Sequence, residues 1–140
     1  MAVFKDGEYR VFSLYDPTRC IDVDKSSGLC YKQNPNGSGS QEWSFKSDAS
    51  GLFRVSLASS SVDYVWWGNN NGCLQASALK GSGANWKLTK VEEPNRYVID
   101  YHKDNIDARL DYWSDDIQGE VHLVGQNQSL QQIWVLEAVQ

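Results

Sequence analysis

The chain is predicted to be all-β and built from three copies of one four-stranded unit, and three observations carry that prediction. Three tryptophans each stand two residues before a large apolar residue, as Trp43 with Phe45, Trp86 with Leu88 and Trp134 with Leu136, at intervals of 43 and 48 residues. Further positions keep nearly the same period, which independent positions do not do unless a shared structure holds them. Within each unit the apolar residues alternate instead of falling at helical spacing, the mark of half-buried strands.

Taken in order, each unit opens on one strand pattern. Gly7-Glu8-Tyr9-Arg10-Val11 returns as Gly51-Leu52-Phe53-Arg54-Val55 and, more loosely, as Asn95-Arg96-Tyr97-Val98-Ile99, in steps of 44 residues. A second set is Ile21, Val65 and Leu110, read as inward-facing. A third is Gly28, Gly72 and Gly119, each between two strand-like runs, where a residue that tolerates positive φ closes a hairpin. Val121 and Leu123 continue the alternation. The tryptophans come last, two of them in Gln-x-Trp, as Gln41-Glu42-Trp43 and Gln132-Ile133-Trp134; Ala84-Asn85-Trp86 lacks the glutamine.

Turn-rich stretches punctuate the strands, among them Asp16-Pro17, the run from Asn34 to Gly39, Asn69-Asn70-Asn71-Gly72 and Lys80-Gly81-Ser82-Gly83. The count is twelve strands with negligible helix. One unit cannot bury its apolar face alone. Three can close around an axis with the tryptophans and Tyr9, Phe53 and Tyr97 inward, which makes a β-trefoil. A single domain over 1–140 is expected, with repeats of about 1–50, 51–94 and 95–140.

Charge and composition narrow the partners. A net charge of −5 and a pI near 4.9 disfavour nucleic acid and anionic membrane surfaces, which need a basic patch. No run reaches the ~18 apolar residues of a membrane span, so no membrane insertion is expected. The N-terminus enters the first strand with no apolar signal segment, which points to a cytoplasmic protein. Cys20, Cys30 and Cys73 are an odd count at no metal spacing and read as reduced thiols. The sequons at Asn36 and Asn127 are then incidental.

Six Trp and seven Tyr are more aromatic surface than a core this small requires. Trp66 and Trp67 are adjacent on a strand, so they point to opposite faces. With Val65 inward, Trp66 is expected outward and Trp67 toward the inner or rim side. Tyr112-Trp113 poses the same choice. Surplus aromatics on an acidic all-β scaffold suggest sugar binding, because the C–H face of a pyranose stacks on an indole while Asp and Asn side chains meet its hydroxyls. Asn69, Asn70, Asn71 and Asn85 stand near Trp67 and Trp86 for that purpose; the alternative is that they only supply turns.

No catalytic constellation is present in the sequence. His102 lies near Asp100, Asp104 and Asp107, and His122 sits between Val121 and Leu123, neither with a partner at ligand spacing. The acidic residues Asp111, Asp115, Asp116 and Glu120 read as a solvated hairpin edge rather than a glycosidase pair. The protein is therefore expected not to be an enzyme and to need no cofactor or metal.

Two complete Gln-x-Trp motifs and one degenerate copy at this period resemble the ricin B-type lectins along essentially the whole chain. The resemblance implies a carbohydrate-binding trefoil whose partners are glycans of glycoproteins or glycolipids. Cys20-Ile21-Asp22-Val23 resembles the segment whose aspartate accepts hydrogen bonds from sugar hydroxyls, and Leu110-Asp111 is its counterpart, with Trp66 at that place in the second unit. The asparagine that precedes Gln-x-Trp in that family is Ser40 or Gln131 here, and Val124 stands at the place of the third unit's stacking aromatic.

A closer resemblance is to small fungal trefoil lectins that bind fucosylated chitobiose and intoxicate nematodes and insects. It rests on the opening Gly-x-Tyr strand, Trp67-Gly68, and the closing Trp134-Val135-Leu136-Glu137. It implies a GlcNAc-containing, fucosylated ligand on the second unit, against Trp67, Leu79, Gly83, Ala84, Asn85 and Trp86. Ala84 stands where that group has tyrosine, and the loop before Trp86 differs in length. Asp22, Asp111, Trp66, Asn69 and Asn70 are secondary candidates. A trefoil protease inhibitor is the main alternative.

Overall fold

The computed structural model describes residues 4–69, 71–77, 85–92, 94–103, 106–113, 119–127 and 129–139, with the backbone alone at 61, 62, 103, 106 and 107. The strands are β1 (Gly7–Ser13), β2 (Cys20–Val23), β3 (Cys30–Gln33), β4 (Trp43–Ser47), β5 (Phe53–Leu57), β6 (Ser60–Gly68), β7 (Leu74–Ala76), β8 (Asn85–Glu92), β9 (Arg96–Lys103), β10 (Ile106–Asp111), β11 (His122–Val124) and β12 (Trp134–Ala138). Helix among the described residues is confined to two 3-10 turns, Gly39–Gln41 and Leu130–Gln132. None is long and apolar enough to cross a membrane.

Six strands close on themselves. β1 pairs with β4, β4 with β5, β5 with β8, β8 with β9, β9 with β12 and β12 with β1, all antiparallel. Such a ring is a barrel without an open edge. The other six form the hairpins β2–β3, β6–β7 and β10–β11. Gly28, Gly72 and Gly119 take φ of +79°, +76° and +82° before the return strands, as their sequence positions predict. Their carbonyls then tie the hairpins together in a cycle: Gly28 accepts from Ala76 N–H, Gly72 from Leu123 N–H and Gly119 from Lys32 N–H, each at 2.7 Å.

The tryptophans link barrel to hairpins. Trp43 Nε1–H donates to the Ile21 carbonyl at 3.1 Å, Trp86 to that of Trp66 at 3.4 Å and Trp134 to that of Leu110 at 3.1 Å. This corrects the sequence register in the second unit, where Trp66 and not Val65 corresponds to Ile21 and Leu110. Trp66 is fully buried rather than outward, with its ring 5.3 Å from Trp43 and 5.6 Å from Trp86. Ser56 pairs with Val65 but Leu57 with Ser60, a bulge of four extra residues in β6, and an even number leaves the two faces of the strand in step. Val65, opposite Ser56, is also buried.

A second aromatic cluster gathers on Phe4. Its ring lies 4.8 Å from Tyr9, 5.4 Å from Phe45, 5.1 Å from Phe53 and 5.2 Å from Tyr97. Phe53 and Tyr97 are buried as expected, whereas Tyr9 keeps partial exposure and donates its hydroxyl to the Lys5 carbonyl.

The glycine cycle generates a prediction. A Cβ on Gly28 would stand 2.6 Å from the Ala76 carbonyl oxygen, backbone that cannot swing aside, and the residue's φ is already positive. Gly28→Ala is expected to cost about 1–3 kcal/mol. Gly51 has φ +85° and open space around it, so Gly51→Ala should cost only the backbone term of about 1–2 kcal/mol. Denaturant midpoints of the two variants check the order.

Candidate functional site

The aspartates and the glutamines of Gln-x-Trp meet in the interior. Asp22 and Asp111 are each 3 % exposed, and Gln41 and Gln132 are fully buried. Gln41 Nε2 donates to Asp22 Oδ2 at 3.1 Å and to the Asn34 carbonyl, while its Oε1 accepts from Asn36 N–H. Gln132 does the same with Asp111 Oδ2, also at 3.1 Å, the Gly125 carbonyl and Asn127 N–H. The second carboxylate oxygens accept from Val23 N–H and Trp113 N–H. Both Asn-x-Ser sequences are parts of this device, since Asn36 Oδ1 takes Ser38 N–H and Asn127 Oδ1 takes Ser129 N–H, each at 2.9 Å. Pairing of this kind is what permits buried polar groups at all.

The second unit has neither member of the pair. By cross-strand register Asp22 faces Tyr31, Asp111 faces His122 and Trp67 faces Gln75. Trp67, rather than Trp66, thus stands at the aspartate's place. It is half-buried against the core, and its Nε1 is buried with no hydrogen bond among the described residues. Gly68 follows because a Cβ there would meet Leu123 Cδ1 at 2.4 Å and Tyr101 Cε2 at 3.1 Å.

The remaining predicted residues divide. Asn69 shapes the β6–β7 turn: its Oδ1 accepts from the N–H groups of Asn71 and Cys73, and its Nδ2 donates to Gln75 Oε1. Asn85 is half-buried and pairs with His102 across β8 and β9. Trp86 is fully buried and faces Trp66 and Tyr101. Leu79, Gly83, Ala84 and Asn70 lie outside the described residues, as do Asp115 and Asp116. Asp100 is held by Arg109, at 2.6 and 3.0 Å from the two guanidinium nitrogens, away from any acid pair.

Two features were not legible in the sequence. A groove of about 470 Å³ runs past Val23, Asp24, Lys25, Leu29, Tyr31 and Glu120, with Tyr31 opposite Asp22. The signal for Tyr31 was its place as the one aromatic three residues after Gly28, in the return strand. In the third unit Trp113, 37 % exposed and at φ +53°, stacks on His122 with ring centres 5.0 Å apart. Its N–H donates to Asp111 and its carbonyl accepts from Lys32 Nζ, so this exposed indole is pinned.

None of the three cysteines is in a disulfide. Burial, with the Asp22 charge behind it, pushes the Cys20 thiol up to about 11, and burial raises Cys30 well above the ordinary thiol range. Cys73 instead meets Glu120 and His122, three metal-ligating side chains that converge within 4.8 Å.

The class of architecture is shared with known structures. No protein-family model matches the chain, and no curated protein matches it significantly. Among solved structures the chain is similar to a mosquitocidal holotoxin (TM-score 0.81, 17 % identity), covering 99 % of this chain but only 18 % of that one. It is similar to the Rhizoctonia solani agglutinin (TM-score 0.78, 12 % identity, 99 % of both chains). It is also similar to the Macrolepiota procera ricin B-like lectin in complex with lactose (TM-score 0.76, 17 % identity), over 99 % of this chain and 100 % of that one. A proteinase inhibitor from Coprinopsis cinerea superposes as well, with a TM-score of 0.78 at 13 % identity over 98 % and 100 %. At these identities the likeness is one of fold, that of ricin B-like and other β-trefoil proteins.

Two outcomes are expected of this geometry. Gln41→Ala and Asp22→Ala should each destabilise by about 1–3 kcal/mol by leaving a buried partner unsatisfied. The double variant should lose less than the sum, measured as a double-mutant cycle on urea unfolding. The second concerns Tyr112, whose hydroxyl donates to Asp16 Oδ2 at 2.9 Å. Burial first, then that hydrogen bond, pushes it up from 10.0 to about 12. The folded state thus favours the neutral phenol, so this contribution is complete below pH 10 and lost as pH rises through about 12. Phenolate absorbance should show the late titration, and Tyr112→Phe should lack the alkaline loss of stability.

Proposed function

We propose that the protein is a non-enzymatic lectin, a β-trefoil of three pseudo-repeats in one domain, that binds a GlcNAc-containing, fucosylated glycan on its second unit with Trp67 as the stacking platform. One observation carries the reading: Trp67 stands where the other units keep a buried aspartate locked to glutamine. In those units each carboxylate oxygen already accepts a hydrogen bond and the residue is 3 % exposed, which leaves little for a sugar hydroxyl. The second unit is released from that lock and puts a half-buried indole in its place. Trp66 and Trp86, both fully buried, support the platform from the core instead of facing the sugar. Leu79, Gly83, Ala84 and Asn85 complete the proposed site, and toxicity toward nematodes or insects belongs to the same proposal.

The groove beside Tyr31 favours a second reading, a galactose- or GalNAc-binding site of the ricin type in the first unit. Calorimetry with fucosylated chitobiose and with lactose separates the two. Trp67→Ala should cost ~2 kcal/mol toward the first ligand, about thirtyfold in affinity, with Tyr31→Ala unchanged. Full affinity in a folded Trp67→Ala, or lactose binding lost in Tyr31→Ala, moves the site to the first unit. Inhibition of trypsin-like or papain-like proteases without glycan binding would make the protein an inhibitor.

A further inference from the structure

Cys73, Glu120 and His122 stand at the seam between the β6–β7 and β10–β11 hairpins. In sequence 47 and 49 residues separate the cysteine from the other two, so spacing gives no hint of the set. In space Cys73 Sγ lies 3.5 Å from Glu120 Oε2 and 3.8 and 3.9 Å from the two ring nitrogens of His122. Tetrahedral zinc, with Zn–S of about 2.3 Å and Zn–N or Zn–O of about 2.0–2.2 Å, places its ligand atoms roughly 3.3–3.8 Å from one another. The two sides that meet at the sulfur fall at that spacing, and all three ligand atoms lie within 4.8 Å of one another.

The backbone around the triangle is fixed on both sides. Cys73 and His122 pair in an antiparallel bridge, flanked by Leu74 N–H to the Val121 carbonyl at 2.8 Å and Leu123 N–H to the Gly72 carbonyl at 2.7 Å. Glu120 is held by its own bridge to Tyr31 and by the Gly119 turn before it. The imidazole is oriented by Trp113 stacked 5.0 Å away at 25°. Cys73 is buried, while Glu120 and His122 are half-buried, so the site has a dry floor and a way in. Preorganised ligands on rigid elements with a supporting neighbour are what a metal site requires.

We propose that these three residues bind a divalent cation of the zinc type, with the sulfur, one imidazole nitrogen and one carboxylate oxygen as ligands and solvent in the fourth position. Binding takes the thiol to the thiolate, whose proton leaves to solvent, and thiolate and carboxylate together balance the ion's charge. A thiolate–imidazole–carboxylate set selects zinc or its spectroscopic stand-in cobalt over calcium or magnesium, which take oxygen ligands. The ion would clasp two hairpins that otherwise meet through backbone bonds and would fix His122 beneath the exposed Trp113.

The test uses the full chain, treated with chelator, dialysed and titrated with Co²⁺. Thiolate-to-cobalt charge-transfer absorption should saturate at one equivalent and disappear on adding Zn²⁺. Cys73→Ser should abolish it, Cys20→Ser should leave it unchanged, and Glu120→Gln and His122→Gln should weaken cobalt binding at least about tenfold. Circular dichroism establishes that each variant is folded. Absence of the band in the wild-type chain, or a wild-type band in folded Cys73→Ser, overturns the site. Should Cys73→Ser fail to fold, His122→Gln decides: undiminished cobalt affinity in that variant overturns the proposal, and the tenfold loss supports it.

Discussion

Everything in this fold hangs on an indole N–H reaching a strand carbonyl. Trp43, Trp86 and Trp134 lie in barrel strands, and each sends its one polar hydrogen to the first strand of its own unit's hairpin. A buried indole N–H without a partner is costly, so the bond selects one register of hairpin on barrel and rejects slips. The residue whose carbonyl accepts must have its side chain in the core, and it does in all three cases: Ile21, Trp66 and Leu110 are fully buried. The hairpins, thus seated, are close enough to exchange the Gly28, Gly72 and Gly119 carbonyl bonds among themselves.

One step outward from that bond the units diverge. The residue after the acceptor is aspartate in the first and third units and tryptophan in the second. The aspartate survives burial only because a glutamine two residues before the next tryptophan reaches it, and that glutamine survives only because the aspartate and two backbone groups receive it. The pair is therefore kept or lost together. Gln41 and Gln132 accompany Asp22 and Asp111, and Ala84 accompanies Trp67. The degenerate motif thus falls in the same unit whose hairpin carries Trp67 in place of the aspartate.

The cycle of hairpins also brings together residues with no sequence relation. Cys73 meets Glu120 and His122, Tyr31 meets Glu120, and Lys32 reaches across to the carbonyl of Trp113. Each of these pairs joins two units. The groove beside Tyr31, the exposed indole of Trp113 and the cluster at Cys73 all lie at these seams.

The all-β class, the twelve strands and the hairpin glycines were legible in the sequence because period-2 alternation and positive-φ turns are local properties, repeated often enough to be recognised. The tryptophan spacing was legible for the same reason. The facing of Trp66 and Trp67 was not, because nothing local distinguishes Val65 from Trp66 as the inward residue: both are large and apolar, and both are fully buried in the structure. Nor was the partnership of Gln41 with Asp22, or the triangle of Cys73, Glu120 and His122. Those depend on which hairpin lies beside which, and only closure of the barrel, with its three indole bonds, decides that.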